Sequence, residues 1–140
     1  MSIVYLGLGS NLGNREQHLM DARNDINIEI GNIISQSSIH ETEAVGFKGN
    51  SFYNQVIKVK TALSPEELLQ KTQEIEKKMG RTEKTTFEND APVYTNRIID
   101  IDILLYDDLQ IDTDTLTIPH PKMYERAFVM NPLGEISGSI

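Results

Sequence analysis

Ile98-Ile99-Asp100-Ile101-Asp102-Ile103-Leu104-Leu105-Tyr106 is the strongest strand signal in the chain. Apolar and β-branched residues dominate it, with acids at alternate positions, so it reads as a strand with one apolar face. Residues two apart in a strand share a face. Ile99, Ile101 and Ile103 then face a core, and Asp100 and Asp102 face away from it together. Toward the N-terminus, Ile3 to Leu8 is a second apolar, β-rich run, and the surrounding glycines give the string GLGSNLG (Gly7 to Gly13). Asn14 can cap a helix carrying Leu19, Ala22, Ile26 and Ile30 near helical spacing, which Gly31 and Asn32 end. Ile33 to Ile39 and Phe52 to Val59 read as two further strands, with Val45 to Asn50 as a loop between them.

The second helix has the clearest start in the chain. Ser64-Pro65-Glu66-Glu67 is a capping box with proline at the first helical position. Leu68, Thr72, Ile75 and Met79 then line one face, and Gly80 stands where a left-handed cap belongs. From Arg81 to Asn96 the periodicity disappears, and long polar loops of this kind are usually functional lids or disordered. After Tyr106 come two short extended pieces (Gln110 to Asp112, Thr115 to Ile118), then Pro119-His120-Pro121 and a short helix from Met123 to Met130.

The order of elements predicts an α+β fold with a ferredoxin-like βαββαβ core. Its mainly antiparallel sheet would carry both helices on one face and leave the other free for function. With 140 residues and no repeat or linker, residues 1–140 read as a single domain with a long loop around 81–97. The absence of cysteine excludes disulfides, thiolate zinc sites and cysteine nucleophiles. No apolar run approaches the ~20 residues of a membrane span, and the N-terminus reads as a strand, so a cytoplasmic protein is expected. A net charge of −8 argues against a nucleic-acid binder, which needs a basic stripe.

The paired aspartates carry the strongest chemical signal. Their Cβ atoms would lie ~7 Å apart, from two rises of ~3.3 Å. That separation suits hard cations, since Mg²⁺ takes one or two carboxylates and leaves room for water and phosphate oxygens. The plainer explanation is the solvated face of an amphipathic strand, but aspartate is depleted in strands and paired like charges repel. Arg81 and Arg97 bracket the polar loop and Lys84 lies within it, an arrangement suited to phosphoryl transfer if they converge on the aspartates. His120 is held between two prolines, whose rings restrict the backbone around it. In GLGSNLG the third glycine falls one place late for G-x-G-x-x-G and no G-K-[ST] follows, so a tight strand-to-helix turn accounts for it. Phe52 and Phe128 are core candidates that could stack on a planar ligand only by reaching the open face.

Together these blocks resemble the 6-hydroxymethyl-7,8-dihydropterin pyrophosphokinase family of folate biosynthesis. The matching pieces are Tyr5 to Gly13, Glu41-Thr42, Phe52-Tyr53-Asn54, Gly80-Arg81, Arg97 to Tyr106, Leu116 to Pro121, and Arg126 to Val129. The resemblance implies a Mg²⁺-dependent enzyme that transfers pyrophosphate from ATP to the pterin and releases AMP. It implies two Mg²⁺ ions on Asp100 and Asp102, and phosphate guidance by Arg81 and Arg97. Gln73, Glu76, Lys84, Ile103, Thr117, His120 and Arg126 would lie at the ATP. Thr42, Val45 and Asn54 would hydrogen-bond or line the pterin, and Phe52 and Phe128 would sandwich its ring. The partners implied are small molecules only, with no nucleic acid and no membrane, and the protein would act as a monomer. Glu43 replaces a usual proline, Glu83 stands near a usual basic residue, and Thr85 to Asn96 is longer and more acidic than the usual run. These differences motivate an alternative, a non-catalytic pterin- or nucleotide-binding paralogue.

Overall fold

The computed structural model describes residues 1–42, 51–80, 86–88, 91–93 and 98–137. The expected Val45 to Asn50 loop lies outside them. Six elements make the core: β1 (Ser2–Ser10), α1 (Arg15–Glu29), β2 (Gly31–Gln36), β4 (Phe52–Thr61), α2 (Pro65–Lys78) and β7 (Asp100–Tyr106). A short strand, β3 (His40–Thr42), precedes β4. The sheet runs β2-β4-β1-β7 with β3 also paired to β4, and every pairing is antiparallel. This is the expected ferredoxin-like order.

Alternation along β1 and β7 divides the molecule. Val4, Leu6 and Leu8 of β1 join Ile101 and Ile103 of β7, with Ile99 just before it, in the main core. Leu19, Ala22 and Ile26 of α1 and Leu68 and Ile75 of α2 cover them, so both helices lie on one face as expected. Each such buried valine, leucine or isoleucine contributes ~1.5–3 kcal/mol relative to exposure. Both helix starts follow the sequence: Asn14 Oδ1 accepts from Gln17 N–H at 3.1 Å. Ser64 Oγ accepts from Glu67 N–H at 3.2 Å while Glu67 Oε1 accepts from Ser64 N–H at 2.9 Å. Gly80 takes φ +109°, the left-handed conformation that ends α2.

Several boundaries differ from the sequence reading. The strand expected over Ile33 to Ile39 starts earlier, at Gly31, and breaks after Gln36. Gly31 pairs with Thr61 so closely that a Cβ there would lie 2.2 Å from the Lys60 carbonyl oxygen, so this glycine permits pairing directly after α1. At the break Ser37 bridges to β4: its N–H donates to Val56 O at 2.9 Å and its Oγ accepts from Val56 N–H at 3.0 Å. β3 resumes beyond it. Within the stretch that lacked periodicity, β5 (Thr86–Glu88) pairs with β6 (Ala91–Val93). Threonine, phenylalanine and valine at these positions favour extended backbone in pieces too short to show alternation. β8 (Ile111–Asp112) and β9 (Thr117–Ile118) form a further small pair.

The largest correction concerns the face expected to be free. The C-terminal helix does not run from Met123 to Met130. Met123–Glu125 is a 3₁₀ turn, and α3 spans Ala127–Ile136. Pro132 cannot donate within the helix, but Val129, Leu133 and Ile136 continue a helical stripe across it. That stripe packs on Tyr5, Val56 and Leu104, so α3 covers part of the second sheet face. Among the described residues no helix is long and apolar enough to cross a membrane.

The end of α3 is tied to the sheet by Glu135. Its carboxylate accepts from Ser38 N–H at 2.8 Å, from the Ser38 hydroxyl at 2.8 and 2.9 Å, and from His40 Nε2. The Ser38 amide, then His40 and the Ser38 hydroxyl, hold this carboxyl down to about 2. The folded value lies below the unfolded one, so the stabilisation is complete above the unfolded pKa and is lost as pH falls through about 2. Glu135→Gln should therefore lower the melting temperature at pH 7, and its difference from the wild type should shrink between pH 5 and pH 2. Thermal melts across that range check this, and a pH-independent gap would refute it. Gly31→Ala, which drives a methyl into the Lys60 backbone, should cost about 1–3 kcal/mol in urea unfolding.

Candidate active site

The half of the second face that α3 leaves open is a cavity of about 580 Å³. This lies within the ~300–1,000 Å³ of ordinary small-molecule sites. Its floor is the middle of β1. Gly7 and Gly9 point to this face, where Gly9 is opposite both Asn54 and Asp100, and Gly7 is opposite both Val56 and Asp102. Having no side chains, they leave a trough between flanking strands whose side chains rise on either side. A Cβ on Gly9 would meet Asn54 Oδ1 at 3.4 Å and Phe52 Cδ1 at 3.5 Å, so even a methyl begins to fill it.

One wall comes from β3 and β4. Thr42, Phe52 and Asn54 line the cavity, and Asn54 Nδ2 donates to Thr42 Oγ1 at 2.7 Å. Asn54 is buried, so this bond fixes its amide and leaves Oδ1 beside Gly9. The opposite wall is the start of α3 and the turn before it, with Phe128, Arg126 and Glu125 at the cavity. The Arg126 guanidinium lies 5.4 Å from the Phe128 ring centroid, a cation–π distance that holds both on one side. Asp100 and Asp102 of β7 complete the outline. Their shared face follows from Ile99, Ile101 and Ile103 being buried on the other.

His120 stands beside this group. Burial pushes its pKa below the ordinary imidazole value, the Asp102 charge opposes that shift, and Arg126 and Lys122 add to it. Its Nδ1 accepts from Lys122 N–H at 3.3 Å, which assigns the proton of the neutral ring to Nε2. Its backbone N–H donates to Leu104 O at 3.0 Å, anchoring the Pro119-His120-Pro121 segment to β7.

The cavity thus brings together Thr42, Phe52, Asn54, Asp100, Asp102, Arg126 and Phe128. It does not gather the remaining residues implied at the ATP. Gln73 is exposed on α2, and Thr117 is half-buried in β9. Ile103 is packed in the main core with its side chain away from the cavity. Glu76 is buried, with Oε2 accepting from Ile101 N–H at 2.8 Å, and so steadies the strand between the two aspartates. Arg81, Lys84, Arg97 and Val45 lie outside the described residues. Gly7, Gly9 and Glu125 were not anticipated. The glycines had a signal: in the alternation of β1 they fall opposite Leu6 and Leu8, where an exposed face would carry polar side chains.

The donor set fits a hard divalent cation. Among the described residues no group of three or more histidines, cysteines or acids could enclose a metal. Two carboxylates on one open face instead leave most coordination positions to water and a ligand, which is the magnesium pattern.

Known proteins resemble this chain over nearly its whole length. The family model described as 7,8-dihydro-6-hydroxymethylpterin-pyrophosphokinase (HPPK) matches residues 5–138. The 2-amino-4-hydroxy-6-hydroxymethyldihydropteridine pyrophosphokinase of Bacillus subtilis is 42% identical over 137 residues, covering 96% of this chain and 78% of that protein. The protein of the same name from Porphyromonas gingivalis is 40% identical over 139 residues, covering 98% of this chain and 92% of its own. A solved Plasmodium falciparum HPPK-DHPS chain superposes with a TM-score of 0.69 at 17% identity, over 97% of this chain. Another HPPK-DHPS structure, in complex with substrates, gives a TM-score of 0.72 at 15% identity, over 96% of this chain. At those identities they speak for the fold alone, and this chain spans 40% of each of those longer chains. With the profile running almost end to end and close relatives matched over most of their own length, the chain belongs to the 7,8-dihydro-6-hydroxymethylpterin-pyrophosphokinase family.

Proposed function

We propose that this cavity transfers pyrophosphate from ATP to the hydroxymethyl oxygen of 6-hydroxymethyl-7,8-dihydropterin, giving the pterin diphosphate and AMP in folate biosynthesis. The observation that carries the reading is the joining, in one cavity, of two aromatic side chains from different elements with two same-face aspartates. A flat heterocycle suits Phe52 and Phe128, while Thr42 and Asn54 offer directional hydrogen bonds at its edge. The polyphosphate belongs at the Asp100 and Asp102 side, within reach of Arg126.

In this reading Asp100 and Asp102 hold magnesium, two ions in all, bound as the complex with ATP. When bound there, the metal would neutralise phosphate charge. The protein's own task is positioning. The hydroxymethyl oxygen must approach the β-phosphorus in line with the departing AMP oxygen, and holding both substrates so replaces a bimolecular encounter with a local one. His120 Nε2–H and Arg126 serve the nucleotide. Arg81, Arg97 and Lys84 supply further positive charge for the phosphates, and Val45 adds to the pterin pocket. Gln73, Glu76, Ile103 and Thr117 border the nucleotide, Ile103 through its backbone. The same reading makes the protein a cytoplasmic monomer organised as a single domain over residues 1–140.

The decisive assay is AMP formation from ATP with and without the hydroxymethyl pterin. Pterin-dependent AMP supports the assignment, and ligand binding with no turnover would instead make this chain a non-catalytic paralogue. Asp102→Ala should reduce kcat by about 100-fold or more, the scale of losing a main electrostatic stabiliser, with the fold intact by circular dichroism. Near-normal activity would remove the metal assignment. Gly9→Val should abolish pterin binding in calorimetry while leaving ATP binding measurable, because its side chain would enter the trough between Asn54 and Phe52.

A further inference from the structure

One arginine of the described structure makes an elaborate set of contacts outside the cavity. Arg15 is the first residue of α1. Its Nη1 donates to Ser51 O at 2.8 Å, to Ser51 Oγ at 2.7 Å and to Glu41 Oε2 at 3.2 Å. Ser51 Oγ donates in turn to Glu41 Oε2 at 2.6 Å, closing a triangle. The guanidinium carbon lies 3.9 Å from the Tyr53 ring centroid, so the same group also stacks. The Ser51 hydroxyl first, then Arg15, hold the Glu41 carboxyl below the usual carboxylate range.

The placement of this triangle gives it meaning. Glu41 precedes Thr42 at the end of β3, and Ser51 precedes Phe52 at the start of β4. Thr42 and Phe52 are paired across the ladder. β3 is three residues long and among the described residues pairs only with β4, so few backbone bonds hold it. Thr42 and Phe52 line the cavity, whereas Arg15, Glu41, Ser51 and Tyr53 do not. Alternation puts Glu41 and Tyr53 on the far side of the same hairpin. Arg15 therefore ties the wall from behind to the first turn of α1. All three bonds leave from Nη1, so a lysine ammonium could supply the charge and the donors but not the planar stack on Tyr53.

We propose that Arg15 is a positioning residue that sets the aromatic and hydrogen-bonding wall formed by Thr42, Phe52 and Asn54, and so governs affinity for the pterin and not for the nucleotide. This rests on the functional reading above. Arg15→Ala should raise KM for the pterin about tenfold, the scale of losing a stacked, charge-assisted contact. KM for ATP and kcat at saturating pterin should stay within about twofold, because uniform binding and not the chemical step is altered. Arg15→Lys should stay measurably weaker than the wild type for the pterin, because it loses the planar stack on Tyr53. Ser51→Ala should reproduce part of the rise, and the double variant should be less than additive, as members of one network are. Ser51→Ala also carries the test if Arg15→Ala fails to fold. An unchanged pterin KM in an active enzyme, or an equal rise for ATP, overturns the positioning role alone. A wild type that forms no pterin-dependent AMP overturns the functional reading, and this proposal with it.

Discussion

The pairing of β7 with β1 governs the site. Leu8 sits opposite Ile101, Gly9 opposite Asp100 and Gly7 opposite Asp102. A shift by one residue would send the aspartates into the core and the isoleucines into the cavity. What prevents it is the burial of Ile99, Ile101 and Ile103 beneath α1 and α2. The functional geometry is thus enforced from the opposite side of the sheet. Glu76 reinforces it by accepting the Ile101 N–H, an amide that no further strand among the described residues pairs with. A carboxylate there ends the sheet and also keeps the intervening residue from moving.

The second face is divided in two by side-chain size along β1. Tyr5 is large and meets Leu104, Val56 and the apolar stripe of α3. Gly7 and Gly9 are absent as side chains, and the cavity begins where they begin. α3 is therefore both a cover and a wall. Its Val129 and Leu133 fill the space over Tyr5, and its first turn sets Phe128 at the cavity edge. Ser38 and His40, by holding Glu135 at the other end, keep the helix from pivoting on that apolar contact.

Much of this was legible because it depends on local rules. The alternation of Ile99 to Ile103 gave both the core face and the aspartate face, and the capping box at Ser64 and the glycine at position 80 bounded α2. Elements fixed by tertiary partners were less visible. β3 has too few residues to show a period and exists through β4. The split between β2 and β3 depends on a serine bridging to Val56. α3 crosses Pro132 because the sheet beyond it offers apolar surface, which overrides the local cost. The GLGSNLG string suggested only a turn, since a glycine's lack of a side chain acquires meaning as a cavity floor once its neighbours across the ladder are known. Ile103 illustrates the reverse: resemblance set it near the nucleotide, yet its side chain is committed to the core.

The charge of −8 now has a spatial reading. Among the described arginines, Arg15 binds Glu41 and Ser51, Arg23 binds Gln55 at 2.6 Å, and Arg126 alone lines the cavity. Asp100, Asp102 and Glu125 line it too, so the described part of the cavity is acidic on balance. Two like charges ~7 Å apart repel by about 2 kcal/mol at an effective dielectric of ~20. A bare polyphosphate would add its own repulsion, whereas a magnesium–nucleotide complex brings the compensating charge with it. In the proposed reading an acidic site would thus select the metallated form of its substrate. Basic side chains fixed at Asp100 and Asp102 would, in that reading, pair with those carboxylates and exclude the cation they would hold.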